Sequence, residues 1–514
     1  MKKRFRFLFL TLTSLCAAYP AAAQRDTAYA QPFRPQYHFS ARQNWLNDPN
    51  GLVFYAGEYH LFYQHNPLGI RWGNMSWGHA VSRDLVHWRE LPIALPVDAD
   101  GTMMFSGSCV IDKANTSGFG RAGGAAPMVA IYTAHREGNQ SQAIAYSLDK
   151  GRTWTKYEQN PVINLKKKDF RDPKVFWHPA SNQWVMAVVL PTEKIVQFYG
   201  SPNLKAWAKL GEFTTTETTA NIWECPDLAE VWIEGTSQKK WLLLLSMGEG
   251  GAAGGSGMQY FVGDFDGKTF KPERKSGIRF VDFGKDYYAA ITFQNTPRTI
   301  SLGWMNNWQY ANDLPTSPFR GAMTMPRELR LVKSPTGSYD LRQVPVTQFT
   351  QLMTDKFVWQ GTGTDDLNTQ IQAASIGGDS YRITLEAETD NPFGVRLRRT
   401  DPLPGEPSSA KTREETAVGY DPARQLLYVD RTKSGIVNFS KNFPGRFTAP
   451  LKPQNGRVKL DIWVDRSSVE VFANDGLVTM TSQVFARPDS RGVFFFGSGI
   501  RNVSAWRLES VWKQ

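Results

Sequence analysis

The stretch SLDKGRTW (147–154) returns in altered form as SRDLVHW (82–88), SPNLKAW (201–207) and, more loosely, DFDGKTF (264–270). In the first three copies a Ser is followed two positions later by Asp or Asn, and an aromatic arrives within seven residues of the Ser. Taken singly, such a segment is a hairpin turn device found in many β folds, and it implies no catalytic role. Its spacing carries more. Intervals of 54 to 65 residues between copies are close to the roughly 40–50 expected of one four-stranded propeller blade with its loops. Between the copies lie β-rich runs, MVAIYTA (128–134), WVMAVVL (184–190), WLLLLSM (241–247) and TISLGWM (299–305), separated by Gly, Pro, Asn and Asp. No stretch keeps a helical period beyond two turns, so the chain reads as all-β.

Three acidic residues keep the same period: Asp48 in WLNDPNG (45–51), Asp172 in FRDP (170–173) and Glu224 in WECPD (223–227). They precede their marks by 34, 29 and about 40 residues, so each stands near the start of its own repeat. The first strand of each propeller blade lines the central channel, and residues at like phase converge on the axis. Pro49 and Pro173 disfavour helix for the residue before them, which predicts extended backbone for Asp48 and Asp172, at strand ends or in tight turns. Alone, DPNG fits a type I turn, RDP fits a local ion pair on a loop, and ECP says almost nothing. Their common phase is the signal. Two carboxyl groups flanking a bond between sugars are what glycoside hydrolysis needs, and a third acid can hold the sugar.

At 514 residues, 41% hydrophobic and 13% aromatic, the chain can fill two or three domain cores. Residues 1–23 read as a secretory leader: Lys2, Lys3, Arg4 and Arg6, an apolar stretch around Leu8 to Ala18, then Ala21-Ala22-Ala23. That places the mature protein in the periplasm or outside the cell. Lipid attachment at Cys16 is disfavoured by the bulk of Leu15. The formal charge of +11 falls to +7 when the four leader cations are removed. The remaining basic residues are scattered, apart from Lys166-Lys167-Lys168, which argues against a nucleic-acid partner. No later run approaches the roughly 20 apolar residues of a membrane span. Cys109 and Cys225 offer neither a disulfide framework nor metal-ligand spacing, although a bridge between them stays open. No metal or cofactor is expected, and nothing in the sequence fixes an oligomeric state.

The pattern changes after residue 345. KLDIWVD (459–465) alternates, with Leu460, Ile462 and Val464 on one face, and SVEVFANDG (468–476) ends in an Asn-Asp-Gly turn. YRITLEAE (381–388) and GVFFFGSG (492–499) add strands. These predict an antiparallel β-sandwich over 346–514, following a propeller over 37–345 and a short linker at 24–36. Alternation puts Asp461, Asp465 and Glu470 on the solvent face, and the sandwich is expected to prop the propeller.

With these motifs in place the chain resembles glycoside hydrolase family 32, the fructan and sucrose hydrolases, and within it the exo-acting levanase and inulinase group. The likeness runs from about His38 to the C-terminus. It takes in FYQHNP (62–67), WGNMSWGHAVSRDLVHW (72–88), FSGS (105–108), DFRDPKVFWH (169–178), DYYAAITF (286–293) and LGWMNNWQYANDLPTSPFRGAMTMPREL (302–329). The resemblance implies a five-bladed β-propeller joined to a β-sandwich. It also implies a retaining hydrolase that releases terminal fructose from levan or inulin and acts on sucrose, with the fructan or sucrose as its partner. Asp48 then resembles the nucleophile, Glu224 the acid/base, and Asp172 the residue that grips sugar hydroxyls. Asn47, Gln64, Trp72, Phe105, Ser106, Arg171, Tyr288 and Trp304 match positions lining the fructosyl pocket, with Trp72 and Trp304 as sugar platforms. The likeness breaks at TTTETTANI (214–222), where relatives carry a glycine-rich stretch.

An invertase-like sucrose hydrolase or a fructosyltransferase would use the same covalent intermediate. A non-catalytic binding module would be expected to have lost an acid, and all three are present. The chemistry expects Asp48 to be ionised and held by turn N–H groups and by Asn47. Glu224 must begin protonated, with Trp223 beside it, and the two carboxyls should stand about 5–5.5 Å apart.

Overall fold

A computed structural model describes residues 29–273, 277–334, 337–400 and 414–512. The expected leader at 1–23, with Cys16, and the start of the linker lie outside the described residues. Five sheets follow one another along the chain, each begun by an inner strand: Asn44–Tyr55, Met103–Ile111, Arg171–His178, Trp223–Trp232 and Tyr288–Thr292. Each inner strand packs on the next and the fifth packs on the first, which closes a five-bladed β-propeller. Blade 1 gains Phe319–Arg320, which pairs parallel with Asn44 and Trp45.

The repeated segment is the turn from third to fourth strand in blades 1 to 4. Its acid or amide accepts backbone N–H groups in each copy: Asp84 from His87 (2.8 Å), Asp149 from Thr153 (2.9 Å), Asn203 from Ala206 (2.9 Å) and Asp266 from Thr269 (2.7 Å). The Trp of blades 1 to 3 donates its indole N–H back to a turn carbonyl at 2.9–3.1 Å. The long apolar runs are second strands wedged between neighbouring blades. In Gln183–Leu190, Val185, Ala187 and Val189 pack with Leu243 and Leu245 of blade 4, while Met186 and Val188 pack with Val129 and Ile131 of blade 2. Both faces are buried, so alternation disappears and WLLLLSM reads as continuous hydrophobe. Each such side chain contributes about 1.5–3 kcal/mol of burial.

The sandwich pairs a six-stranded and a five-stranded sheet. Leu460, Ile462 and Val464 face its core as expected, with Val469 and Val471 beside them. The one α-helix among the described residues, Thr364–Ala373, is an addition to the all-strand expectation. Its Asp365 and Asp366 sit in the first turn, and Leu367 and Ile371 meet the core one turn apart.

The solvent-face assignment of Asp465 and Glu470 is corrected: both are fully buried. The six-stranded sheet is covered on its second face by the propeller, where Trp463 and Phe472 join a propeller cluster. Buried there, the acids need partners. His38 lies between them, 2.8 Å from each, and Arg327 reaches Glu470 at 2.5 Å and Asp282 at 2.9 Å. Burial works against a proton on His38, but the hydrogen bonds to Asp465 and Glu470 outweigh it and raise the imidazole to about 9. Asp461 stays part-exposed and pairs with Arg382. Both cysteines are buried and unpaired, so no bridge joins Cys109 to Cys225.

Candidate active site

All five inner strands break their ladder at the same phase. The pairing shifts between Leu46 and Pro49, Phe105 and Gly107, Arg171 and Lys174, Glu224 and Asp227, and Tyr288 and Ile291. Such a bulge adds an unpaired residue, bends the strand and re-aims its side chains. Pro173 and Pro226 lie inside two of the five, and Pro49, opposite Tyr63, closes a third. Lacking an N–H, a proline leaves no donor orphaned where the ladder opens. Asp48 therefore lies inside a continuous strand rather than in a DPNG turn. The extended backbone expected of Asp172 is also corrected: its φ is +65°, and Cys225 before Pro226 sits at +47°. Asp accepts this left-handed conformation better than most residues. At the second bulge only glycine fits, because a Cβ on Gly107 would stand 2.0 Å from the Ile131 carbonyl oxygen.

The bulges aim the three acids into one pocket. Asp48 Oδ1 accepts from Asn47 Nδ2 at 3.0 Å and Oδ2 from Ser106 Oγ at 2.8 Å, while Cys225 Sγ lies 3.6 Å from the same oxygen. The Cys225 thiol is also 3.8 Å from Asp172 Oδ2, which accepts the Cys225 backbone N–H at 2.9 Å. Glu224 Oε1 accepts from Arg171 Nη2 (2.9 Å) and Nε (3.2 Å), and its Oε2 accepts from the Tyr288 hydroxyl. Arg171 in turn stands 3.9 Å from Asp172.

Burial, reinforced by the Glu224 charge, raises the Asp48 carboxyl above its ordinary range, while Ser106 and Asn47 pull it down. Burial raises Asp172 to about 7; Arg171 opposes that rise, and Glu224 and Asp48 add to it. The Tyr288 phenol and the Cys225 thiol are pushed well up, by burial first and then by nearby carboxylates, so both stay protonated donors.

The structure brings the other expected residues together unevenly. Asn47 is fixed by the Trp45 indole, which donates to its Oδ1 at 2.7 Å. Gln64 is buried and donates to the Met104 carbonyl at 2.9 Å, behind Phe105. Trp72 is 41% exposed and meets Phe105 edge-on at 5.9 Å. Trp304, by contrast, is fully buried between Trp45 and Trp308 and backs Tyr288, a core position rather than an open sugar platform. Trp223 does not sit beside the Glu224 carboxyl. Successive strand residues point to opposite faces, and its ring stacks on Phe213 in the core between blades 3 and 4.

Several residues were missed from sequence. Cys225 was weighed only as a bridge partner, although it stands inside WECPD. Asp169 and Gln140 hold the Arg171 Nη1 at 2.9 and 3.4 Å, and the His135 ring stacks on Phe105 at 4.5 Å. The divergent TTTETTANI segment is laced to the glycine-rich loop 248–256: Thr219 Oγ1 donates to the Gly250 carbonyl at 2.8 Å and Asn221 accepts the Glu249 N–H at 2.8 Å.

Residues 38–345 match the glycosyl hydrolases family 32 N-terminal domain and residues 348–510 the family 32 C-terminal domain. The levanase of Bacillus subtilis (strain 168) is 47% identical over 530 residues, spanning 100% of this chain and 76% of that protein. The extracellular exo-inulinase inuE of Aspergillus niger is 41% identical over 501 residues, 90% of this chain and 91% of that one. The crystal structure of exo-inulinase from Aspergillus awamori superposes with a TM-score of 0.83 at 38% identity, covering 94% of this chain and 100% of that one.

Proposed function

This chain belongs to glycosyl hydrolase family 32, and from that premise we propose how its pocket works as a retaining fructan β-fructosidase. It is a glycosidase that releases terminal fructose from β-linked fructans, and sucrose is its small substrate. We assign Asp48 as the nucleophile, Glu224 as the acid/base and Asp172 as the grip on the sugar hydroxyls. The observation that carries these roles is the Cys225 thiol seated between Asp48 and Asp172 while Arg171 ties Glu224 to the same corner.

Asp48 attacks the anomeric C2 and forms the fructosyl ester as the glycosidic C–O bond breaks. The departing oxygen takes the proton of Glu224. Arg171 holds Oε1 of Glu224 through two guanidinium N–H groups and Tyr288 holds Oε2, so the carboxyl is oriented from both sides for the transfer. Water then gives a proton back to Glu224 and attacks C2, freeing Asp48. Asn47 and Ser106 hold the Asp48 carboxylate for attack, and the protonated thiol of Cys225 faces it without competing as a nucleophile. The rim of Trp72, Phe105 and His135 offers apolar faces to the sugar.

The mature enzyme acts outside the cytoplasm, as residues 1–23 read as a leader and an exo-inulinase relative is extracellular by name. No helix among the described residues is long and apolar enough to cross a membrane. The roles are tested by Asp48→Ala and Glu224→Ala, each expected to lower kcat by about 10⁴-fold or more while the melting temperature stays near the parent's. Either variant keeping parent turnover would refute its assignment. Chromatography of levan and inulin digests should show fructose alone; a ladder of oligomers would contradict release from the chain end.

A further inference from the structure

We propose that Lys174 is a positioning residue for this reaction, the hub of a second, buried ring that fixes the spacing of the acids from one layer below. The proposal rests on the site assigned above. Two to four residues past each site residue, every inner strand turns a polar side chain inward: Asn50 after Asp48, Ser108 after Ser106, Lys174 after Asp172, Asp227 after Glu224 and Thr292 after Tyr288. All five are 3% exposed or less.

Three of them lock together. The Lys174 ammonium donates to Asp227 Oδ2 at 2.5 Å and to the Thr292 carbonyl and Oγ1 at 2.9 Å each. Thr292 returns its backbone N–H to Asp227 Oδ2 at 2.9 Å and its hydroxyl to Oδ1 at 2.7 Å. Ser108 extends the ring on the other side, donating to the Pro173 carbonyl at 2.8 Å and accepting the Val175 N–H at 2.9 Å. Blades 2, 3, 4 and 5 are thereby joined around Lys174.

The bulges explain why such a ring is needed. At Asp48, Ser106 and Asp172 the ladder is open, and at Glu224 and Tyr288 it opens immediately after the site residue, so the sheet holds the backbone there incompletely. The five inner strands belong to separate sheets; a backbone bridge ties Val53 to Gln294 at the end of the fifth, and around Lys174 the relative heights of the third, fourth and fifth are set by side chains. Apolar packing is non-directional, whereas an ammonium with all three hydrogens committed sets direction as well as distance. Those commitments also keep Lys174 from the substrate; it acts through Asp172 on its own strand, and through Asp227 and Thr292 on Glu224 and Tyr288, which precede them on theirs. A misplacement of about 1 Å at a catalytic group costs on the order of 10²-fold in rate.

The test is the double variant Lys174→Met/Asp227→Leu, which removes both charges and keeps apolar bulk, assayed on inulin well below its melting temperature. We expect a folded enzyme with kcat lowered about 10²-fold and KM changed less than kcat. Thr292→Val, which deletes two hydrogen bonds and no charge, should lower kcat about tenfold, and Thr292→Ser should recover most of that loss. A folded double variant with parent kcat would overturn the proposal. If the double variant fails to fold, the Thr292 pair decides: valine at parent kcat, or serine as impaired as valine, overturns it. Turnover surviving in Asp48→Ala would instead remove the site assignment on which it rests.

Discussion

Ser106→Ala removes a hydroxyl that holds the Asp48 carboxylate. Its Oγ donates to Asp48 Oδ2 at 2.8 Å, in a pocket where burial and the Glu224 charge already raise that carboxyl. A hydrogen bond to a charged group contributes about 1.5–3 kcal/mol. With one pH unit worth about 1.36 kcal/mol, its loss should raise the proton affinity of Asp48 by about one to two units. Asp48 attacks only as the carboxylate, so stronger proton binding removes the reactive form at a higher pH, and the acid limb of kcat/KM must move upward. Asp172 senses the charge of Asp48, so the limb belongs to the group of acids, and stronger proton binding by one member raises it. Asn47 still donates to Oδ1, which favours the lower end of the range. The assay is the initial rate of fructose release at low inulin concentration from about pH 4 to 9, for parent and variant. An acid limb that stays in place, or moves down, refutes the claim that Ser106 stabilises the nucleophile's charge.

Further predictions concern the buried seam between the domains and two of the tryptophans. His38 binds its proton more tightly folded, to about 9, than in the unfolded chain, so its stabilisation is complete below about pH 6.5 and is lost as pH rises through about 9. That amounts to about 3 kcal/mol: the parent's urea midpoint should fall between pH 6 and 9.5 more steeply than that of His38→Gln, and parallel slopes would contradict the linkage. Trp304→Ala should destabilise the fold by about 3–5 kcal/mol, whereas Trp72→Ala should shift stability by less than about 0.5 kcal/mol and raise KM for inulin about tenfold. Parent-like melting of the first, or an unchanged KM in the second, would show that their positions have been misjudged.

Convergence of Asp48, Asp172 and Glu224 was legible because a propeller converts equal phase in a repeat into proximity at its axis. Alternation is a weaker guide, since it tells which residues share a face and not what covers that face. Asp465 shares its face with Trp463, and Glu470 shares its face with Phe472; two large aromatics on a supposed solvent face were the available sign that another domain lies on it. Trp304 shows the converse, because a Trp within a pocket motif is as readily the wall behind the pocket as its surface.

The prolines carry a more general lesson. Pro49, Pro173 and Pro226 each interrupt a run that otherwise reads as strand, and a turn was the natural inference. At these positions, however, each inner strand is the edge of its blade, where a residue without an N–H is tolerated and most easily so where the ladder has already opened; an open ladder is what lets a strand aim a side chain down the channel. Three acids, three prolines and three bulges therefore express one physical requirement. The bulges at Ser106 and Tyr288 carry no proline; Gly107 and the left-handed Ala289 serve there instead. Neither has a distinctive signature in a single sequence, and these two site residues were reached only through family likeness.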